Sequence, residues 1–480
     1  MDNVDNLKEK SVKGVVWSAI DNFSRQGIQL VITLVIARML MPSDYGLVAM
    51  VWIFVDISNK IVDSGFSNAL IQKKNRNQSD FSTVFYFNVV VGVVIYLIIL
   101  FAAPFIASFY NVPELSLILK IMPLVVIFNS LGVVQKTILI INLDFKRLAK
   151  ISVISVLISG TIAIYMAYDG CGVWTLVTQQ IIVSLITLSL LWYTSSWHPF
   201  LAFSTKSFRL LFGFGSKLMI GAIIHSIYTN LYSLIIGKVF TASQLGFYNR
   251  ANSIAQLPAD NITTVFERVS YPVECELQDD DQRLCAAFFK FIRMASFILF
   301  PIMMCLVSIA TPLVKLVLTD KWLPCVPFLQ LICIANMFLP IMRMNWNLLN
   351  AKHRSDYSLK AEIVKKIVAF AILFATFRFG VFYMCIGMIA YSIADWYIIT
   401  RYTKKVVRQV TMGRQVVVLA PIMFMGVISS VAGYSVQVFL ANVWLQLFGG
   451  TIVFVTIYLL LSKMMNRNEY QEIIQFKNRR

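Results

Sequence analysis

The sequence predicts an all-α polytopic membrane protein of about fourteen transmembrane helices. Two six-helix lobes in a parallel pseudo-twofold repeat, plus two C-terminal helices, are expected, with both termini cytoplasmic. Three observations carry that reading. Hydrophobic residues make up 58% of the 480-residue chain and charged residues only 14%, against about 45–50% and about 25% in soluble domains. Apolar stretches of spanning length recur from end to end. Lysines and arginines gather between them in the alternating pattern that marks cytoplasmic loops.

Taken in order, spans are expected at 14–37, 45–71, 81–107, 115–141, 148–168, 172–194, 209–237, 245–268, 285–310, 325–349, 359–377, 380–400, 415–439 and 442–462. The first thirteen residues are polar and the apolar segment after them is long, so no removable signal peptide is expected. Placing Lys8, Lys10 and Lys13 inside also places Lys73, Lys74 and Arg76 inside, then Lys146, Arg147 and Lys150, then Lys206 and Arg283. Lys352, Arg354 and Lys360 follow, then Lys404, Lys405, Arg408 and Arg414, and finally the tail with Lys463, Arg467, Lys477, Arg479 and Arg480. Outside loops keep little beyond Arg38, Lys238, Lys315, Lys321 and Arg378. The longest connection, 269–284, is acidic with Glu274, Glu276, Asp279, Asp280 and Asp281, and reads as a solvated link. Acidic residues contribute little to orientation, so the assignment stands.

The chain also repeats itself. Arg38, Ser43 and Gly46 recur as Lys238, Ser243 and Gly246, a shift of 200 (238 − 38). Pro104 and Asn142 recur as Pro312 and Asn350, a shift of 208 (312 − 104). Two related halves follow, over 1–205 and 206–408, with 409–480 holding two further helices and a basic tail. Six spans per half is an even number, so the halves enter the bilayer in the same orientation.

Composition also excludes function classes. The formal charge of +18 would suit a nucleic-acid binder only if it formed one soluble face, and here it is dispersed among loops. Seven cysteines, none in a CxxC pair, and three scattered histidines read as structural residues, and no metal site or cofactor is expected. No Gly-rich phosphate loop, HExxH or GxSxG occurs, and no outside loop could house a catalytic domain. The chain is not expected to be an enzyme.

Charges inside the spans are the informative feature. An ionisable group at mid-span costs about 2.5–3.5 kcal/mol on insertion scales, so it faces a partner, a bundle interior or a wet cavity. Asp21, Arg25 and Gln29 share one face of the first span, and Asp56, Lys60 and Asp63 share one face of the second. The seventh carries Lys217, His225 and Asn230, and the eighth Arg250, Asp260, Glu267 and Arg268. Lys290, Arg293, Arg343, Asn345 and Asn347 follow in later spans. Both halves thus open on polar helices, which a cavity between the halves explains. Local i,i+4 ion pairs, Asp21 with Arg25 or Asp56 with Lys60, are the competing account, and Lys290 or Arg343 could snorkel to an interface. In LFGFGSKLMIG, Gly213, Gly215 and Gly221 allow either a hinge or close helix packing.

The segment RQGIQLVITLVIARMLMPSDYGLVAM, with VDSGFSNALIQK after it, resembles the polysaccharide exporters of the multidrug/oligosaccharidyl-lipid/polysaccharide flippase superfamily. The resemblance is to the O-antigen and colanic-acid-type flippases, and it rests on Ala37, Arg38, Leu40, Pro42, Asp44, Tyr45, Gly46, Asp63 and Gly65. It implies a V-shaped pair of lobes and alternating access in the bacterial inner membrane. The implied cargo is an undecaprenyl-diphosphate-linked oligosaccharide, moved from the cytoplasmic to the periplasmic leaflet for surface polysaccharide biosynthesis. Membrane lipids, a proton or sodium ion, and glycan polymerase and chain-length proteins are the implied partners. A diphosphate crossing the bilayer needs cations in place of water, and Arg25, Lys60, Lys217, Arg250 and Arg293 are the candidates. Asp21, Asp56 and Asp63 are the ion-coupling candidates, with Gln29, His225 and Asn230 as further cavity lining. The rivals are a cation-coupled multidrug exporter of the same superfamily and, more distantly, a membrane glycan polymerase or ligase.

Overall fold

Long apolar runs without polar backbone partners in a bilayer can be satisfied only by helices that bond internally, and helices are what the chain forms. A computed structural model describes residues 24–465, and no strand occurs among them. The helices are α1 (24–39), α2 (Pro42–Asp63), α3 (Phe66–Gln72), α4 (Gln78–Tyr110), α5 (Leu115–Ile121), α6 (Leu124–Ile141), α7 (Phe145–Tyr168), α8 (Val173–Thr194) and α9 (Thr205–Val239). They continue with α10 (Ala242–Glu276), α11 (Asp281–Val317), α12 (Val326–Asn336), α13 (Leu339–Ala351), α14 (Ser355–Thr376), α15 (Val381–Val406), α16 (Met412–Phe439) and α17 (Val443–Met465). Lys8, Lys10 and Lys13 of the expected N-terminus, Asp21 of the first expected span, and Arg467, Lys477, Arg479 and Arg480 of the expected tail lie outside the described residues.

Among the described residues eleven segments are long and apolar enough to cross a membrane, counting α2 with α3, α5 with α6, and Asp320–Ala351 each as one. Helices α1, α10 and α14 fall short of that standard. Of α1 only residues 24–39 are described, α10 is rich in polar groups, and α14 carries Lys360, Glu362, Lys365 and Lys366 in close succession.

The described residues divide into two compact units, with the boundary between Gly246 and Phe247. In the first, Ile32 and Ile36 of α1 pack with Val156, Ala163 and Ala167 of α7 and Leu176 of α8. A second core joins Phe66 and Leu70 of α3 to Phe85 of α4, Val134 of α6 and Leu211 of α9. Phe208 and Phe212 of α9 stack at 5.2 Å and lie against Phe66. That aromatic cluster, with Phe87 of α4, holds α9 within the first unit, against α3 and α4. In the second unit, α11 runs through the core, and Leu284, Phe288, Ile292, Leu299 and Phe300 are fully buried along it.

The last two helices are part of that unit's packing. The backbones of α16 and α17 meet where Gly433 faces Gly450, and a Cβ on Gly433 would lie 3.0 Å from the Gly450 carbonyl oxygen. Gln437 donates to the Ser308 carbonyl and the Tyr458 hydroxyl to the Phe297 carbonyl at 3.2 Å, tying both helices to α11. Gln415 of α16 exchanges hydrogen bonds with Asn345 of α13 at 3.2 Å and accepts from Trp396 Nε1 of α15 at 2.7 Å. A buried amide network of this kind fixes which helices meet, because each unmade bond would leave a desolvated group.

Backbone irregularities recur at one spacing. Asn111 and Thr319 both adopt positive φ, 208 apart (319 − 111), and so do Gly172 and Gly380 (380 − 172), the residues that precede α8 and α15. Pro104 and Pro312 lie inside α4 and α11. The stretch expected as a solvated link, 269–284, is mostly helical instead. Helix α10 continues to Glu276, and Asp280 caps α11 by accepting from Gln282 N and Arg283 N. Glu274 is fully buried rather than solvated, which keeps that helix end packed. All seven cysteines are free, and Cys285, Cys325, Cys333 and Cys385 are buried.

Candidate functional site

The motif residues prove to build the ends of α2. Pro42 opens the helix where its missing N–H is no loss, and Asp44 accepts from the Met41 N–H at 2.9 Å to cap it. At the other end Ser64 and Gly65 both adopt left-handed conformations and separate α2 from α3. Asp63 sits at this break and accepts from the Ser67 hydroxyl at 2.5 Å, with Thr137 of α6 donating to Ser67 at 3.2 Å.

Glycines then let other backbones approach both ends. A Cβ on Gly65 would lie 2.5 Å from the Gly215 carbonyl oxygen, and one on Gly215 would lie 2.4 Å from that of Ser64. A Cβ on Gly46 would lie 1.8 Å from the Ala242 carbonyl oxygen, and one on Gly246 would lie 1.9 Å from that of Pro42. Gly215 of the LFGFGSKLMIG segment is therefore a packing glycine, whereas Gly213 and Gly221 face open space.

Between those contacts α2 and α9 present facing polar groups. Asp56 accepts from the Ser226 hydroxyl and from Asn230 Nδ2 at 3.3 Å, while Lys60, one turn on, stands 3.8 Å from its other oxygen. The Asp56 side chain is 27% exposed and that of Lys60 46%, so the pair is not sealed inside the fold. Lys217 and His225 are exposed along α9, and no hydrogen bond or ion pair joins Lys217 to another described residue. Arg25 is exposed on α1, where Gln29 donates to Thr33 at 3.4 Å.

The structure thus brings Asp56, Lys60 and Asn230 together and adds Ser226, which periodicity alone did not flag. Asp63 is engaged two turns further along α2. The other two cations belong to the second unit. Arg250 is buried, with its guanidinium over the Trp322 ring at 5.5 Å, and Arg293 is half-buried.

The second unit holds a charged cluster that the sequence reading did not single out. Lys365 Nζ of α14 lies 3.0 Å from Glu362 and 3.1 Å from Asp395 of α15, and Lys366 lies 3.1 Å from Glu362. Lys365 and Asp395 are buried. Its signal was present as Glu362 and Lys365 three apart in one span and Asp395 in the next. Among the described residues no group of three or more His, Cys, Asp or Glu is placed to hold a metal ion.

Eleven apolar segments of spanning length among the described residues define a multi-pass membrane protein. More particularly, residues 35–327 match the family of polysaccharide biosynthesis proteins, so the chain belongs to that family. Over 362 residues it is 27% identical to the lipopolysaccharide biosynthesis protein WzxC of Escherichia coli K12, covering 75% of this chain and 74% of that one. It is 24% identical to the teichuronic acid biosynthesis protein TuaB of Bacillus subtilis, covering 73% of each. It is 26% identical to the succinoglycan biosynthesis transport protein ExoT of Rhizobium meliloti, covering 68% of this chain and 66% of that one.

The fold is similar to that of the lipid II flippase MurJ in an inward closed conformation. The TM-score is 0.75 at 12% identity, over 94% of this chain and 99% of that one. It is also similar to an inward-facing MATE family transporter of the MOP superfamily, with TM-score 0.61 at 11% identity over 81% and 98%. The family resemblance read from the motif is borne out, and the family and its fold neighbours are transporters rather than enzymes.

Proposed function

We propose that the chain is a flippase that moves an undecaprenyl-diphosphate-linked oligosaccharide from the cytoplasmic to the periplasmic leaflet by alternating access. The observation that carries this reading is the α2–α9 pair. Lys217 lies exposed in a spanning helix with no hydrogen bond or ion pair to another described residue. Lys60, also exposed in its span, stands 3.8 Å from Asp56 Oδ1 while Ser226 and Asn230 hold Oδ2. A cation kept in a span at a cost of about 2.5–3.5 kcal/mol is explained by an anionic cargo. Arg25, Arg250 and Arg293 extend the proposed diphosphate path, with Gln29, His225 and Asn230 lining it. Asp21, Asp56 and Asp63 are the proposed ion-coupling carboxylates, for a proton or sodium.

The recurrence of backbone features at 208 residues supports fourteen spans in two six-helix lobes, 1–205 and 206–408, with α16 and α17 added. In that scheme both termini are cytoplasmic, and glycan polymerase and chain-length proteins are the proposed partners. A cation-coupled multidrug exporter is disfavoured because the exposed intramembrane charges are largely basic.

The test is a flipping assay in liposomes containing only this protein and a labelled undecaprenyl-diphosphate oligosaccharide, with and without an ion gradient. Protein-dependent exposure of the glycan to an outside enzyme, abolished by Arg25→Ala, is expected. No exposure with several glycans, together with efflux of a cationic dye, would replace the proposal with the drug-exporter reading.

A further inference from the structure

Within the second unit a cavity of about 460 Å³ lies between α10 and α13. It is lined by Thr264, Glu267, Arg268, Tyr271 and Pro272 from one and by Trp346, Asn347 and Asn350 from the other. Thr264, Glu267, Arg268 and Tyr271 follow at i, i+3, i+4 and i+7, so a single face of α10 supplies them. Its volume falls in the range of about 300–1,000 Å³ typical of small-molecule sites. Trp346 and Tyr271 remain 37% and 41% exposed although both are large aromatics.

Asn347 is the opposite case. It is only 4% exposed, yet its Nδ2 has no hydrogen-bond partner. A buried amide without a partner calls for one, and the cavity it lines is where that partner can sit. Beside it, Asn350 Oδ1 is taken up by the Ser358 hydroxyl at 3.0 Å. Lys352 closes the nearby helix ends by donating to the Gln278 carbonyl at 2.6 Å and to Asp281 at 2.7 Å.

We propose that this cavity is a glycan subsite. Trp346 and Tyr271 would form a platform for the apolar face of a pyranose ring, and Glu267, Arg268 and Asn347 would bond its hydroxyls. The combination selects against other occupants. A lipid phosphate would meet Glu267 beside the single Arg268, so the lining carries no excess of positive charge. A prenyl or acyl chain would strand the polar groups. A sugar satisfies all of them at once, because it presents C–H faces to rings and hydroxyls to amides and charges. Volume and lining suit a short oligosaccharide. In the orientation proposed above, this end of α13, with Lys352, Arg354 and Lys360 beside it, lies on the cytoplasmic side, where a cargo would load.

The proposal rests on the flippase reading, and the experiment separates the two. Binding of undecaprenyl diphosphate carrying the native repeat unit is compared with binding of sugar-free undecaprenyl diphosphate, on the full-length protein in lipid nanodiscs. Trp346→Ala and Arg268→Ala are expected to weaken the sugar-bearing lipid at least tenfold while leaving the sugar-free lipid unchanged. Trp346→Phe, which keeps a ring and controls for folding, recovers most of the loss. Equal weakening of both lipids would assign the cavity to the lipid or its diphosphate. Unchanged binding of the sugar-bearing lipid in both variants would leave the cavity with no glycan role, and either result overturns the subsite. Wild-type protein that binds neither lipid would instead sink the flippase reading itself, and the subsite with it.

Discussion

The cluster on α2 and α9 and the cluster on α14 and α15 use the same residue types to opposite ends. Around Asp56 the partners are a hydroxyl, an amide and a loosely placed lysine, and the group is partly exposed. Around Lys365 two carboxylates converge within 3.1 Å, and the lysine and Asp395 are buried. The first arrangement leaves electrostatic potential to spend on a ligand, whereas the second cancels it internally. Charge inside a span is therefore not by itself a functional mark; its exposure and its partners decide.

The largest expected effect comes from breaking the closed cluster. Asp395→Ala leaves Lys365 buried without its nearest α15 partner and should lower stability by about 3–5 kcal/mol, as for other broken buried pairs. Replacing both by apolar residues, Lys365→Met with Asp395→Leu, should recover most of that loss, read as melting temperature in detergent. Transport retained in the double variant would mark the cluster as structural.

Glu274 sharpens the contrast, since it is a buried acid with no partner at all. Burial pushes its carboxyl up to about 8. The folded chain therefore keeps a proton that the unfolded chain loses above its ordinary value near 4.5. Stability should be fullest below pH about 4.5 and fall as the pH rises toward 8, by on the order of 5 kcal/mol. Glu274→Gln should flatten that slope in melting curves taken from pH 5 to pH 8.

Gly215→Val tests the close approach that holds the open cluster together. Its new side chain would enter the Ser64 carbonyl, and a loss of about 1–3 kcal/mol is expected from overpacking. The same substitution at Gly213, which faces open space, should be far milder in a thermal-shift comparison. Smallest in stability is Lys60→Ala, within about 0.5 kcal/mol for an exposed i,i+4 pair. Its flipping rate should nevertheless fall about tenfold, and an unchanged rate would place Lys60 outside the path.

Much of the architecture was legible because spanning length and loop charge are properties of runs of residues, which survive small local errors. The motif around Pro42 and Gly46 was legible as a pattern, but its physical role as a helix cap and a backbone contact was not. That role depends on what Ala242 does two hundred positions away. Ser226 escaped notice because a serine in an apolar helix usually bonds back to its own turn, and only the approach of Asp56 makes it a partner. The 269–284 segment misled for a related reason. Its acidic composition suggested solvent, whereas Glu274 is buried by packing that composition cannot report.

The contact between Gly46 and Ala242 is matched by that between Gly246 and Pro42, and the two exchange under a shift of 200 (246 − 46). A contact that maps onto itself in this way is what two identical partners make across a dyad. Neither glycine can take on a side chain unless the backbone facing it withdraws, so the two positions form one joint and a substitution at either strains both.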